Sequence, residues 1–300
     1  MSAEYLERIR SRIRALEDMP AVSVIVLPLV SMLQLPPEQV DLEQVFEMVS
    51  YDSTIAAQCL RMANSPLFGR RNTETVRGAV TALGIRRVVA ILMGCCLNRI
   101  VPAEQWVLPP AVFWRHCLGC AFVSRELAQL IDYPDPEKAY LAGLLHDLGI
   151  LVNTLTCGEE FRRCLQAAQD THVAIHQSEL QNLGFTHCET GRILGESWHF
   201  SPDIINAIEL HHCSVTAPTS GSLVWLVQLS DVLCRLRGLG YGYDEHLSVD
   251  LTGEDAWTKL LQNHPALAKM DLARLTMDID GAMDEIGTVV DAVFNPADFP

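Results

Sequence analysis

The middle of the chain carries histidines and aspartates that a helical protein can collect around a metal ion. His146 and Asp147 are adjacent within the apolar segment Leu-Ala-Gly-Leu-Leu-His-Asp-Leu-Gly. Titratable side chains inside apolar helices need polar partners, so we expect this pair to meet other residues of the same chemical type. The candidate metal ligands are His116, His146, Asp147, His187, His211, His212 and Asp231.

The chemistry of this set predicts a divalent metal site with one or two ions. Imidazole and carboxylate ligands suit iron, manganese, zinc or nickel, and helical bundles build such sites from facing side chains. An aspartate that bridges between histidines is typical of a two-metal hydrolase, in which Asp147 would be the catalytic residue. The alternative is that each histidine is a hydrogen-bonded core residue, because His-Asp and His-His pairs also arise by chance.

Helical periodicity predicts the elements that must position these ligands. Residues 112–131 place apolar side chains at steps of three or four positions, and His116 lies on that stripe. Residues 137–155 are almost wholly apolar apart from His146 and Asp147, which predicts one central buried helix. Helical patterns cover most of the remaining chain and strand alternation is scarce, so the expected fold class is all-α.

Charge and composition divide the chain into three parts. Residues 1–110 have a net charge of 0 and form an N-terminal helical part, whereas residues 111–240 carry −6 and form the core with the candidate ligands. Residues 241–300 carry −9 and form an acidic helical extension after Gly238, Gly240 and Gly242. In this extension Thr252 and Asp255 indicate a capping box, and Asp271 begins a last amphipathic helix.

An arginine-rich stretch, residues 70–103, has a local net charge of +5 in a chain whose total is −15. Its arginines are Arg70, Arg71, Arg77, Arg86, Arg87 and Arg99. A solvated helix face is the simpler interpretation, and a docking surface for an acidic partner or a nucleotide is the alternative. Nucleic-acid binding is less expected, because the whole chain is acidic and the stretch has almost no aromatic residues.

The cysteines and the N-terminal residues favour a cytoplasmic protein with reduced thiols. Glu4, Glu7 and four arginines occupy the first 14 residues in place of a signal peptide. No uninterrupted apolar run reaches the roughly 18–20 residues of a membrane span, so we expect no membrane partner. Cys117 and Cys120 form one CxxC without a second pair, which favours buried small side chains over a zinc or redox motif.

Several motifs taken together resemble the HDOD family, a branch of the HD-domain phosphohydrolase superfamily found in bacterial signalling proteins. The resemblance covers roughly residues 20–236. Its motifs are Tyr51-Asp52-Ser53-Thr54-Ile55, Leu60-Arg61-Met62-Ala63-Asn64-Ser65, the step from Ala79 to Gly84, Phe113-Trp114-Arg115-His116, Ala142-Gly143-Leu144-Leu145-His146-Asp147-Leu148-Gly149, and His187 with Gly191, Trp198, Pro202 and His211-His212. The resemblance implies an HD-domain-like helical bundle with an N-terminal helical subdomain and a C-terminal helical extension.

The resemblance also implies a role for the ligand set. In catalytic relatives, residues that match the seven candidate ligands bind one or two metals, and this chain keeps the whole set. It departs from the cyclic-di-GMP phosphodiesterase branch, which has a lysine where this chain has Ile150 and Leu151 and a Gly-Tyr-Pro motif where residues 213–218 read Cys-Ser-Val-Thr-Ala-Pro. Phosphoryl transfer needs cations aimed at the developing charge. The cations near the ligand motifs in sequence are Arg115, Arg125, Lys138 and Arg192.

Three hypotheses follow. The first is a bacterial signal-transduction protein of HDOD type, related to response regulators, that acts through unidentified protein partners and has a retained or vestigial metal site. The second is a metal-dependent phosphohydrolase that acts on a nucleotide or another phosphoester. The third is a regulator that contacts nucleic acid through the arginine-rich stretch.

Overall fold

The computed structural model describes residues 3–19, 22–35, 39–51, 53–65, 72–213, 221–241, 255–265, 267, 277, 280–282 and 285–290. Across these residues the protein has fourteen α-helices and no β-strand, which confirms the predicted all-α class. In chain order the helices are α1 (Ala3–Glu17), α2 (Leu27–Gln34), α3 (Leu42–Tyr51), α4 (Ser53–Ala63), α5 (Val76–Leu83), α6 (Ile85–Ile100), α7 (Pro110–Leu130), α8 (Pro136–Leu145), α9 (Leu148–Thr171), α10 (Ile175–Leu183), α11 (His187–Ser197), α12 (Pro202–Leu210), α13 (Ser222–Leu236) and α14 (Asp255–Asn263).

Short polar signals fix where the helices of the core begin. Asp135 accepts a hydrogen bond from the Lys138 N–H and so caps α8, whose first residue is a proline. Thr186 and Glu189 form a capping box at the start of α11. The capping box makes His187 the first residue of its helix, so local sequence sets the position of one candidate ligand.

The predicted central helix over residues 137–155 is instead two helices, α8 and α9, which meet at His146 and Asp147. These two residues form a turn between the helices. Neighbouring side chains of a continuous helix point about 100° apart, whereas the turn lets both side chains face one centre. The predicted burial is confirmed, since Leu145 and Leu148 on either side of the turn are each 1% exposed.

The core surrounds this turn with two groups of helices. Helix α7 packs along α8 and α13, whereas α9 packs against α10 and α11. Helix α12 joins the two groups because it contacts α8, α11 and α13. The largest buried side chains include Phe113 and Trp114 of α7 and Phe161 of α9, so large apolar side chains surround the turn.

The N-terminal helices join the core through ion pairs of α6. Arg86 binds the Asp135 carboxylate at 2.6 Å, and Arg87 Nε binds Glu137 Oε2 at 2.9 Å, at the start of α8. Arg77 binds a carboxylate of α3 at 2.8 Å. Arg86 and Arg87 therefore connect elements of the fold, whereas the Arg77 side chain is 65% exposed, as the solvated helix face predicted. Arg70 and Arg71 lie outside the described residues.

The described part of the acidic extension packs against the core. Trp257 and Leu260 of α14 are buried, and so is Ile286 further along the chain. His264 Nε2 lies 3.1 Å from the hydroxyl of Ser222 at the start of α13. Gly242 of the linker, Thr252 of the predicted capping box and Asp271 of the last predicted helix lie outside the described residues.

Within the part of the chain that the structure describes, one helical run is long and apolar enough to cross a membrane, whereas the sequence predicted none. It is Pro136–Thr171, which comprises α8 and α9, and 83% of its most apolar window is buried inside the protein. Two bent helix pairs, Ala3–Glu17 with Val22–Leu33 and Val76–Leu83 with Ile85–Ile100, meet the same test only if each pair counts as one span. Packing in the core accounts for the apolar character of Pro136–Thr171.

Candidate metal centre

The structure brings all seven predicted ligands together at the turn between α8 and α9. His116 comes from α7, His187 from α11, His211 and His212 from the end of α12, and Asp231 from α13. Six of the seven are at most 3% exposed, and the side chain of His212 is 13% exposed. These groups therefore form one buried polar cluster inside an otherwise apolar core.

Asp147 lies at the centre of the cluster, and each of its carboxylate oxygens faces two histidines. Its Oδ2 is 3.3 Å from His116 Nε2 and 3.1 Å from His146 Nε2. Its Oδ1 is 3.2 Å from His187 Nε2 and 3.3 Å from His211 Nε2. This is the arrangement expected of a carboxylate that bridges two metal positions.

The cluster therefore divides into two halves that share Asp147. The first half-site comprises His116, His146 and Asp231 with Asp147 Oδ2, and the second half-site comprises His187, His211 and His212 with Asp147 Oδ1. In the first, His116 Nε2 is 3.2 Å from His146 Nε2 and 3.3 Å from Asp231 Oδ1. In the second, the Nε2 atoms of His187 and His211 are 3.3 Å apart.

The other ring nitrogen of each of these four histidines is held by a hydrogen bond that points its Nε2 inward. The Nδ1 acceptors are the carbonyl of Leu239 for His116 at 2.6 Å, the carbonyl of Gly143 for His146 at 2.7 Å, the carbonyl of Ile208 for His211 at 2.7 Å, and the carboxylate of Glu179 for His187 at 2.6 Å. Such outer hydrogen bonds orient metal-binding histidines and fix their tautomers.

The inward-facing atoms are electron-pair donors that face one another, and this arrangement fits a divalent cation. Neutral imidazoles with a proton on Nδ1 present lone pairs at Nε2, and those lone pairs face each other and a carboxylate. Among the described residues, no hydrogen-bond donor with good geometry reaches the buried Oδ1 of Asp147. Nitrogen and oxygen donors of this kind suit iron, manganese, zinc or nickel.

The electrostatics favour protons on some histidines of the cluster, whereas burial lowers the pKa of His146 and His212. Burial alone would lower the pKa of His116, but hydrogen bonds and charges of Asp147 and Asp231 outweigh it and raise that pKa well above its ordinary value. Burial likewise opposes the anionic form of Asp147, yet the surrounding histidines hold its pKa well below the usual range. The pKa of His211 is raised to about 10 against the effect of burial, by the charge of Cys188 and by its hydrogen bond with Asp147. The carboxylates thus stabilise protons on histidine nitrogen atoms to which a metal would otherwise bind.

Two glycines allow the ligand-bearing helices to approach each other. A Cβ on Gly143 of α8 would lie 2.5 Å from the carbonyl oxygen of Cys120 on α7. A Cβ on Gly149 of α9 would lie 1.8 Å from the carbonyl oxygen of His187 on α11. Neither approach is possible for a residue with a side chain, so these glycines bring His146 to α7 and Asp147 to α11.

Sequence reasoning missed several residues that support the ligands. Glu179 is fully buried, and it accepts hydrogen bonds from the backbone N–H of His187 and from Asn153 in addition to the His187 ring. The Tyr241 hydroxyl donates to Asp147 Oδ2. Arg235 binds Asp231 at 2.8 Å, one helical turn away on α13. The i, i+4 spacing could have indicated Arg235, whereas nothing in the sequence connects Glu179 or Tyr241 with the ligands.

A cavity of about 500 Å³ adjoins the second half-site. His212 and Cys188 line it, and so does His176, whose ring stacks on that of His212 with centroids 4.1 Å apart. Glu189 and Glu209 also line the cavity. Its described lining thus includes two carboxylates and no lysine or arginine.

The cations that the sequence placed near the ligands are directed elsewhere. Lys138 binds Asp203, and Arg192 Nε binds Glu209 at 3.1 Å. Arg125 binds its neighbour Glu126 at 2.5 Å. Arg115 lies beside Gly287 of the C-terminal extension. Apart from Arg235, which is paired with Asp231, these contacts show no cation aimed at the cluster from the described residues.

Fold and cluster together define a helical protein of HD-domain type, with an adjacent His-Asp pair at the centre of a bundle. The profile of the HDOD domain matches residues 19–214, and the chain belongs to the HDOD family.

Solved structures agree with this assignment. An HDOD domain protein of unknown function from Geobacter sulfurreducens is 26% identical, with a TM-score of 0.77 over 97% of this chain and 99% of the other. A protein from Shewanella amazonensis named as a candidate phosphohydrolase is 21% identical, with a TM-score of 0.70 over 97% and 98%. A protein from Marinobacter aquaeolei named as a candidate signal transduction protein is 20% identical, with a TM-score of 0.74 over 97% and 66%.

A curated relative from Treponema pallidum, an uncharacterized protein, is 22% identical over 205 residues. The match covers 68% of this chain but 39% of that relative, so the chain corresponds to well under half of the longer protein.

Proposed function

We propose that this chain is a regulatory HDOD module of bacterial signal transduction whose central bundle holds a dinuclear metal centre. The observation that carries the proposal is the arrangement of four anchored histidine Nε2 atoms in two pairs, one pair at each oxygen of Asp147. His116, His146 and Asp231 would hold one ion, and His187, His211 and His212 the other. Such a centre supplies Lewis acidity and crosslinks the helices that carry its ligands.

The surroundings of the cluster favour regulation over catalysis. Phosphoryl transfer requires cations that face the reacting phosphate, and the nearby basic side chains bind carboxylates outside the cluster. The cavity that adjoins the second half-site contributes Glu189 and Glu209 instead. The name of the Marinobacter protein agrees with a signalling role, which we propose for this chain through protein partners.

Contacts between the cluster and residues 239–241 suggest how a change in the charge of the cluster could be transmitted to a partner protein. The Leu239 carbonyl accepts from His116 Nδ1, and the Tyr241 hydroxyl donates to Asp147 Oδ2. Leu239 lies between the end of α13 and the acidic extension, and Tyr241 is the first residue of that extension. A change in the charge of His116 or Asp147 therefore alters the hydrogen bonds that hold the start of that extension.

Hydrogen exchange tests this connection. Removal of bound metal by a chelator should speed amide exchange in residues 238–241 and leave the start of α7 unchanged. If amide exchange in residues 238–241 is the same with and without metal, as at the start of α7, this segment has no part in the proposed signalling.

A metal-dependent phosphohydrolase is the second candidate function. The observation that favours it is Asp147 itself, since a carboxylate shared by two metal positions is the usual basis of two-metal hydrolysis. The name of the Shewanella protein agrees with this candidate. In it Asp147 would hold both metal positions at the distance that the reaction requires.

One experiment separates the two functions. The full chain is purified without metal-chelate chromatography, its iron, manganese, zinc and nickel are quantified, and a phosphoester panel is assayed with each metal restored. We expect stoichiometric metal, its loss in His146→Ala and Asp147→Ala, and turnover no higher than in these variants. The control is Asp170→Ala, an exposed aspartate of α9.

The outcomes are distinct. Turnover that the two variants lose and the control keeps would establish the phosphohydrolase. A folded wild-type chain that binds none of the four metals would reject both functions.

For location and partners, we propose a cytoplasmic protein that binds other proteins and not nucleic acid. All ten cysteines are free thiols, which suits a reducing compartment. Arg77, Arg86 and Arg87 bind carboxylates within the chain, so the arginine-rich stretch offers less charge to nucleic acid than its sequence indicated. Binding of duplex DNA at physiological salt would contradict this part of the proposal.

A further inference from the structure

Helix α13 connects the two half-sites through two buried polar side chains. Asp231 is a candidate ligand of the first half-site, and Gln228 precedes it by three positions, so the two side chains are neighbours on the surface of the helix. Gln228 is 7% exposed. Its side chain reaches the end of α12, where His211 and His212 of the second half-site follow Leu210.

The amide of Gln228 holds the backbone on both sides of the His211-His212 pair. Its Nε2 donates to the carbonyl of Leu210 at 2.8 Å and to the carbonyl of Cys213 at 2.8 Å. Both partners are acceptors, so only the NH₂ end of the amide can face them. Leu210 directly precedes the pair and Cys213 directly follows it. One side chain therefore fixes both ends of the segment that carries these two ligands.

His212 depends on this backbone more than the other histidines of the centre do. Those four are each anchored by a hydrogen bond at Nδ1. Within the part of the chain that the structure describes, no hydrogen bond anchors the His212 ring, whose Nδ1 lies 3.6 Å from Asp231 Oδ2. The ring stacks on that of His176, with centroids 4.1 Å apart. Its direction is thus set by the stacked ring and by the backbone that Gln228 holds.

The remaining surroundings of Gln228 favour a role in positioning over a role in stability. Its Oε1 is buried, and no hydrogen-bond donor among the described residues reaches it. A buried acceptor without a partner destabilises a folded protein, so stability alone would favour an apolar side chain here. Cys213 is exposed, and water can satisfy carbonyls at the end of a helix. What the amide adds is a fixed backbone around the two ligands.

We propose that Gln228 is a positioning residue of the second half-site, which sets the directions of His211 and His212 by holding the carbonyls on either side of them. The inference rests on the proposed metal centre and identifies what keeps its second position in place. Gln228 is not among the candidate ligands, so it acts through the two histidines. Loss of the amide should weaken the second position and spare the first, whose histidines lie on α7 and at the turn after α8.

Zinc titration of two glutamine variants tests the inference. Gln228→Met keeps the length and approximate volume of the side chain but has no donor, and Gln228→Glu keeps its shape but, as a carboxylate, only accepts. The full chain is stripped with a chelator and titrated with Zn²⁺ against a chromophoric chelator. The binding event that His212→Ala weakens is assigned to the second half-site. We expect both Gln228 variants to weaken that event by about 10–100-fold and to change the other by less than about threefold.

Gln228→Glu separates positioning from charge. The carboxylate adds negative charge near two cations, so electrostatic attraction alone predicts tighter binding. It cannot donate to the carbonyls of Leu210 and Cys213, so loss of positioning predicts weaker binding. Co²⁺ provides a second readout, because its visible absorption depends on the geometry of its ligands. The spectrum of cobalt in the second half-site should change in both variants, and that of cobalt in the first should not.

Ser230→Ala is the matched control. Ser230 is fully buried on the same helix, donates to the Leu226 carbonyl at 2.7 Å and accepts from the Ser124 hydroxyl at 2.9 Å. Its substitution removes hydrogen bonds of α13, as that of Gln228 does, but none at the second half-site. We expect Ser230→Ala to keep both binding events and both cobalt spectra. Chemical denaturation and circular dichroism measure the stability and the fold of all three variants.

The outcomes separate this inference from the proposed function. Wild-type affinity of the second event in a folded Gln228→Met variant, or tighter binding in Gln228→Glu, overturns the positioning role and leaves the metal centre. The role is also overturned if Ser230→Ala weakens that event as much as Gln228→Met does, or if neither Gln228 variant folds, because Gln228 then acts through stability. A wild-type chain that binds neither zinc nor cobalt rejects the proposed function and this inference together.

Discussion

The two half-sites share Asp147 but differ in how their histidines are held. In the first, His116 and His146 donate to the backbone carbonyls of Leu239 and Gly143, and neither histidine has exposed surface. In the second, His187 donates to the buried carboxylate of Glu179, and His212 lines a cavity. Backbone carbonyls hold both histidines of the closed first position, whereas a buried carboxylate holds His187 of the second position, which adjoins the cavity.

This difference indicates that the two half-sites have different roles. The first half-site joins α7 to the turn between α8 and α9, and its two histidines are fully buried, so we expect a tightly held structural ion there. The second half-site, between α11 and the end of α12, meets the cavity, so we expect its ion to exchange more readily. Substitutions that affect both half-sites, or only one of them, test this difference.

The largest effect on stability and metal content is expected for a substitution at a contact on which both half-sites depend. Gly149→Ala places a Cβ 1.8 Å from the His187 carbonyl oxygen, which must separate α9 from α11. We expect a loss of about 3 kcal/mol or more in the free energy of unfolding and loss of metal from both half-sites. Chemical denaturation and metal analysis measure these effects.

Gly158→Ala is the matched control for this prediction. It lies on the same helix, and a Cβ there would meet only Val107 at 3.7 Å. Its free energy of unfolding should stay within about 1 kcal/mol of the wild type. If Gly149→Ala were as stable and as metal-rich as this control, the close approach of α9 and α11 would not position the ligands.

Acidification should weaken both half-sites. Against the effect of burial, the carboxylates raise the pKa of His116 in the first half-site and of His187 in the second, and the pKa of His211 reaches about 10. Metal must displace these protons, so affinity should rise with pH from 6 towards 10, by roughly tenfold per pH unit for each proton displaced. Competition titrations with a chromophoric chelator measure the slope, and a flat profile would exclude these histidines as ligands.

The stability of the metal-free protein should depend on pH in the opposite direction. A folded-state pKa of about 10 for His211 lies above its ordinary value of 6.5. The stabilisation from its protonated ring is therefore complete below pH 6.5 and is lost as pH rises towards 10. A chelator-treated sample should melt at a lower temperature at pH 9.5 than at pH 7. The melting temperature of the metal-loaded sample should fall by less over the same pH change.

Glu179→Gln should affect the second half-site alone. The amide cannot support His187 as the carboxylate does, and loss of such outer partners typically costs 10–100-fold in metal affinity. Stepwise titration should show one weakened and one unchanged binding event. Glu160→Gln, on α9, is the control and should change neither. Equal weakening of both events would mean that the half-sites are not separable.

Tyr241→Phe should give the smallest effect, mainly in the first half-site. It removes the hydroxyl that donates to Asp147 Oδ2, and hydrogen bonds to charged groups contribute about 1.5–3 kcal/mol. Tyr140→Phe is the control, because among the described residues no partner reaches the buried Tyr140 hydroxyl. Thermal unfolding should show destabilisation for Tyr241→Phe and little change for Tyr140→Phe, and the reverse order would contradict the assignment.

The sequence was sufficient to predict the helical class and the residues that meet in the cluster. His116 follows the apolar stripe of its helix, and the pairs His146-Asp147 and His211-His212 interrupt apolar segments, so their types and positions indicated shared burial. Which histidines pair at which carboxylate oxygen depends on the packing of α7 against α8 and of α9 against α11, which spacing along the chain does not determine.

The sequence did not predict the turn between α8 and α9 or the residues that support the ligands, and each failure has a physical reason. No proline marks the break after Leu145, and although Asp147 is the N-cap residue of α9, its side chain makes no capping hydrogen bond and faces the histidines instead. Tyr241 reaches Asp147 across 94 residues of sequence. Cys120 was considered only with Cys117 in a CxxC motif, although its neighbour in the cluster is His116.

Metal stoichiometry tests the central claim most directly. The full chain and Asp147→Asn are each stripped with a chelator, reloaded with zinc and manganese, freed of excess metal and analysed for bound ions per chain. The bridging arrangement predicts two ions in the wild type and loss of both in Asp147→Asn, with circular dichroism unchanged. A folded wild-type chain with no bound ion, or an Asp147→Asn variant that retains two, would contradict a centre built on Asp147.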